Sequence, residues 1–167
     1  SFAIGMAAAA AIAAGYTAIG LVLILVSRLG DGLDGAVARI RGKTDLGGYL
    51  DIVLDFFFYG AIPLGFAVAD PPANALAAAV LISCFYVNGA SFLAFSILAE
   101  RRKLSTLARG EKSIFFTTGL AEATETLAVF VAFCLFPGWF AVLAYAFAAV
   151  TLYTAVSRIV LAAKSFG

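Results

Sequence analysis

All eleven lysines and arginines fall within residues 28–43, 101–112 and 158–164, and the stretches between these segments are almost wholly apolar. Hydrophobic residues make up 63% of the 167-residue chain and charged residues 13%, with a mean hydropathy of +1.04. A soluble domain carries about a quarter of its residues as charges. A water-soluble fold is therefore excluded, and the pattern predicts a polytopic membrane protein. The turns around Asp70-Pro71-Pro72 and Phe136-Pro137-Gly138 lack basic residues altogether. Basic residues collect on the cytoplasmic side of a membrane, so the three basic segments are expected there.

Taken in order, the chain predicts six transmembrane helices in a single domain, residues 1–167, an all-α integral membrane bundle. Residues 2–14 are apolar but too short to span ~30 Å of hydrocarbon, so the first helix reads as truncated, with a turn at Gly15 and Tyr16. The second helix covers 16–39. Thr44 is a candidate N-cap for the third, which covers 45–69 and contains Pro63, a candidate kink. The fourth covers 72–99, with Asn88 and Ser91 placed for interhelical hydrogen bonds. The fifth covers 113–135, and the sixth follows Trp139, a candidate interface anchor. Cys84 and Cys134 lie inside apolar runs, where packing is a better account than a disulfide. The chain has no histidine, which leaves carboxylates to do any acid–base work.

Carboxylates stand in the chain where they are hardest to accommodate. Asp31 and Asp34 are followed by Gly35, Ala38 and Arg39, and Gly47, Asp51 and Asp55 then recur at four-residue spacing. On helices, positions 47, 51 and 55 share one face, and 31, 34, 35 and 38 share another. Two antiparallel helices joined by the polar run 40–45 would bring four carboxylates together. In a poorly hydrated site these repel one another unless cations lie between them. An all-oxygen ligand set suits Mg²⁺, Mn²⁺ or Ca²⁺. The competing reading is that the aspartates cap helices or pair with Arg28, Arg39, Arg41 and Lys43. Capping accounts for Asp45 but not for Asp51 and Asp55, which lie one and two turns further in.

The stretch 31–55 resembles the signature of the CDP-alcohol phosphotransferases (CDP-alcohol phosphatidyltransferases), a family of integral membrane enzymes. That signature is D-x2-D-G-x2-A-R, a spacer, then G-x3-D-x3-D. Asp31, Asp34, Gly35, Ala38, Arg39, Gly47, Asp51 and Asp55 fill every specified position. The fifth-helix sequence looks unlike typical inositol-phosphate or glycerol-phosphate enzymes and points to a less characterised bacterial branch. The resemblance implies transfer of a phosphatidyl group from CDP-diacylglycerol to an alcohol acceptor, with release of CMP, in phospholipid synthesis. It implies that Asp31, Asp34 and Asp51 bind metal, and that Asp55 touches the metal and serves as general base. Gly35, Ala38, Arg39 and Gly47 would line the nucleotide and diphosphate. The cofactor would be Mg²⁺ or Mn²⁺, as two ions. The enzyme would sit in the cytoplasmic (inner) membrane among membrane lipid, its site facing the cytoplasm, as a homodimer and with no nucleic-acid partner. Family members open the first helix with a Pro-Asn-x-x-Thr-like segment that helps form the nucleotide pocket, and this chain has none.

The acceptor site is open to more than one reading. Glycerol 3-phosphate or inositol phosphate needs a basic pocket, for which Arg109, Lys112 and Arg158 are candidates. A neutral or cationic acceptor would use Glu122 and Glu125, which lie inside the fifth helix; alternatively these pair with Arg158 or Arg39. Two other functions compete with transfer. A divalent-cation carrier needs a polar path across the bilayer, yet the outer halves of the helices are apolar. A non-catalytic subunit is hard to reconcile with all four motif aspartates being present.

Overall fold

A computed structural model describes residues 1–41, 44–102 and 123–167, the side chains of 33–41 excepted. Among these residues all regular structure is helical: α1 (Phe2–Ala13), α2 (Thr17–Arg41), α3 (Asp45–Ala69), α4 (Pro71–Arg101), α5 (Ala123–Leu135), a 3-10 turn (Pro137–Trp139) and α6 (Phe140–Phe166).

Local chemistry sets the breaks. Gly15 closes α1 in the left-handed region, with φ +86°. Its N–H reaches the Ile12 carbonyl at 2.8 Å, and the Tyr16 N–H reaches that of Ala11 at 2.9 Å. This pair of bonds satisfies carbonyls that the helix end would otherwise leave open. Thr44 caps α3, its hydroxyl accepting from the Gly47 N–H at 3.1 Å. Asp70 ends α3 and caps α4 by accepting from the Ala73 N–H at 3.3 Å. Pro71 and Pro72 occupy positions where a missing N–H does no harm. Helix α3 continues through Pro63.

Helix α3, with 25 residues, is about 38 Å long at 1.5 Å per residue. That exceeds the ~30 Å of bilayer hydrocarbon. By length and composition α3, α4 and Pro137–Phe166 can each cross a membrane, and α1 and α5 are shorter apolar helices. Helix α2 is as long as α3, but its second half carries the first group of motif charges. Of the six expected spans, three therefore meet the criterion outright among the described residues. Arg109 and Lys112 of the expected loop, and the start of the expected fifth helix with Glu122, lie outside the described residues.

Helix α4 packs along α6 and against α3, while α1 packs on both α2 and α3. That seam is made by small residues. A Cβ at Gly65 of α3 would stand 2.7 Å from the Ala9 carbonyl oxygen of α1, so the backbones approach closely only because the side chain is absent. Phenylalanines fill the centre: Phe66 stacks on Phe140 at 4.6 Å between centroids, and Phe58 meets Phe130 edge-on at 5.9 Å. Large apolar side chains such as Leu29, Leu64, Leu76 and Val142 point outward. A helix apolar on all faces belongs in lipid rather than water. Cys84 and Cys134 are free, and Cys134 is buried in the core.

Candidate active site

Asp51 and Asp55 lie one turn apart on α3, with Gly47 a turn earlier. Asp31 comes from α2. Each of these three aspartates offers a carboxylate oxygen, and the three oxygens lie within 4.8 Å of one another. They border a pocket of about 180 Å³ shared with Gly47, Leu54 and the start of α1 at Ser1 and Phe2. Asp51 is exposed, and Asp31 and Asp55 are half-buried. Helix α1 thus does more than fill space. The Ser27 hydroxyl donates to the Ser1 carbonyl at 3.0 Å, and the Ser1 hydroxyl lies 3.4 Å from Asp31 Oδ1.

Arg28 sits at the centre of this cluster. Its Nη1 donates to Asp55 Oδ1 at 2.9 Å and lies 3.4 Å from Asp31 Oδ2. The guanidinium carbon stands 4.4 Å from the centroid of the Phe58 ring, an attractive position for a cation. In the sequence Arg28 was only an alternative partner for the carboxylates, whereas the fold makes that pairing real. Its position three residues before Asp31, one helical turn away, was the signal available for it.

Three carboxylates from two helices, converging within 4.8 Å on a pocket open to water, fit a hard divalent cation. Asp34, Gly35, Ala38 and Arg39 follow on α2, and their side chains lie outside the described ones.

Asp55 also borders a second and much larger cavity, of about 700 Å³, walled by Phe56, Tyr59, Phe85 and Phe92 and reaching Asn88, Thr126 and Arg158. Arg158 of α6 is held against α4, where Nη1 donates to the Asn88 carbonyl (3.2 Å), Asn88 Oδ1 (3.0 Å) and the Ser91 hydroxyl (3.2 Å). Asn88 and Ser91 thus make the interhelical bonds expected of them. Gly89 is buried against the Phe56 ring, and Asp55 and this arginine network border the same cavity. Glu125 is exposed in the first turn of α5.

Apolar helices long enough to span a bilayer, one of which carries two aspartates of an acidic pocket, define an integral membrane protein with a carboxylate-rich site. The profile of the CDP-alcohol phosphatidyltransferase family matches residues 1–157, and the chain belongs to that family. The inner membrane protein YnjF of Escherichia coli is 48% identical over 158 residues, covering 95% of this chain and 77% of that protein. No solved structure matches the chain at a significant level. Members of the family use divalent metal ions, and the three clustered aspartates are suited to hold one.

Proposed function

We propose that the protein transfers the phosphatidyl group of CDP-diacylglycerol to the hydroxyl of an alcohol acceptor and releases CMP. The observation that carries this reading is the convergence of Asp31, Asp51 and Asp55, three of the four signature aspartates, within 4.8 Å. Asp31, Asp51 and Asp55, with Asp34, would hold a divalent ion, which would supply charge neutralisation to the diphosphate and to the attacking and leaving oxygens. Asp55, at the junction of the acidic pocket and the larger cavity, takes the acceptor's proton. The acceptor oxygen bonds to the β-phosphorus, and the phosphorus–oxygen bond to CMP breaks. Gly47 and Gly35 allow the diphosphate close to the backbone, beside Ala38, and Arg39 pairs with its oxygens.

Arg158, positioned by Asn88 and Ser91 beside the cavity that Asp55 borders, is the acceptor-binding cation for glycerol 3-phosphate or inositol phosphate. Arg109 and Lys112 are further candidates to bind such a phosphate, and Glu122 is the candidate for a neutral or cationic acceptor instead. The six-span, single-domain bundle presents the site to the cytoplasm, because the basic segments flank it. The test is CMP release by the purified protein with CDP-diacylglycerol and Mg²⁺ or Mn²⁺, across glycerol 3-phosphate, inositol phosphate, inositol, serine and choline. Release stimulated by one acceptor is the expected result. Absence of release with every acceptor, in protein that binds metal, would refute the reading for this substrate set.

A further inference from the structure

Arg28 is placed as no signature position requires. One nitrogen, Nη1, bridges two aspartates on different helices, at 2.9 Å to Asp55 and 3.4 Å to Asp31. Its side chain is 17% exposed, against 31% for Asp31 and 30% for Asp55. The arginine therefore reaches the carboxylates from the protein side and leaves the pocket mouth, where Asp51 is exposed, open to an incoming ion. Its grip is incomplete, because Nε is buried without a hydrogen-bond partner among the described residues. Stacking on Phe58 supplies a resting place that does not depend on the carboxylates.

We propose that Arg28 is a tethered counter-cation, which neutralises the acidic pocket before a divalent ion binds and yields Asp55 and Asp31 to that ion, so that it sets the metal affinity of the site. This rests on reading the Asp31, Asp51 and Asp55 cluster as the metal site. Arginine and ion draw on the same oxygens, so each weakens the other's hold by the same factor. The device solves a folding problem: without a cation, the carboxylates repel as α1, α2 and α3 assemble. Arg28 acts on the reaction through Asp55 and the ion and is thus a positioning residue.

The test is direct Mn²⁺ binding, followed by electron paramagnetic resonance on the purified full chain. Arg28→Gln is expected to bind Mn²⁺ about two- to fivefold more tightly than wild type, the range for loss of part-exposed ion pairs. Without metal it should also melt at a lower temperature than wild type, and Mn²⁺ should raise its melting point by more. An arginine that served only the fold would leave affinity unchanged or weakened on removal, and either result overturns the proposal. Should Arg28→Gln fail to fold, Arg28→Lys decides the matter. An ammonium keeps the charge but lacks the planar fork, so partial tightening is expected, and wild-type affinity would overturn the proposal. Asp51→Asn separates the two levels of inference. If wild type binds no Mn²⁺, or if Asp51→Asn does not weaken binding, the metal site itself is refuted. If that control behaves and the Arg28 variants do not, only the role of Arg28 falls.

Discussion

The guanidinium of Arg28 on α2 and the carboxylate of Asp55 on α3, 27 residues apart in sequence, meet at 2.9 Å. The contact joins the two halves of the signature through a residue outside both. It also places a cation beside the carboxylate proposed as general base, which is the point from which the chemistry can be tested.

Asp55→Asn removes the proton acceptor while keeping shape and hydrogen-bonding capacity. Turnover should fall by about 10² to 10⁴-fold, while the protein still inserts and folds. CMP release and thermal unfolding of the same preparation check both statements. Undiminished activity in the purified variant would exclude Asp55 as the base.

Chelation should abolish CMP release, and added Mg²⁺ or Mn²⁺ should restore it. Asp51→Asn should raise the metal concentration needed for half-maximal rate, since Asp51 offers one of the three converging oxygens. A rate insensitive to chelation would remove the ion from the mechanism.

Asn88→Ala should raise the acceptor KM by about fivefold or more with little change in kcat. Its side-chain oxygen, 3.0 Å from Arg158 Nη1, helps to hold that guanidinium in place, and bonds to a charged group contribute about 1.5–3 kcal/mol. Arg158→Ala should show the same pattern more strongly. Steady-state kinetics with varied acceptor distinguish this from a uniform loss of active protein.

Gly65→Val should lower stability by about 1–3 kcal/mol, the usual range for overpacking. The Cβ would meet the Ala9 carbonyl at 2.7 Å, and backbone cannot turn aside as a side chain can. Because α1 borders the acidic pocket, activity should fall together with melting temperature in detergent.

The sequence marked several features that the fold repeats. Thr44 caps α3, Gly15 turns the chain in the left-handed region, and Asp70 followed by two prolines separates α3 from α4. Each is a local effect, written in adjacent residues and read from propensity and hydrogen-bonding capacity. The pairing of Asp31 with Asp51 and Asp55 was legible for a similar reason, since helical periodicity and one short connection leave few ways to arrange two carboxylate faces.

Other relationships are not local. Nothing near Arg28 distinguishes Asp55 as its partner from Arg39 or Lys43 as competitors for the same aspartates. The choice depends on α1, whose small residues pack against α2 and α3 and bring Phe58 under the guanidinium. Asn88 and Ser91 read as hydrogen-bonding residues, but their partner, Arg158, lies 70 and 67 residues away and was decided by the packing of α4 on α6. The cavity that Asp55 shares with Arg158 is likewise space left between four helices, and no single stretch of chain encodes it. Membrane character, helix ends and the acidic signature belong to the sequence by itself, because hydropathy and backbone chemistry act over a few residues. Which cation meets which carboxylate, and what space surrounds them, was decided only by the tertiary structure, because close approach of distant helices depends on the shape of every side chain between them.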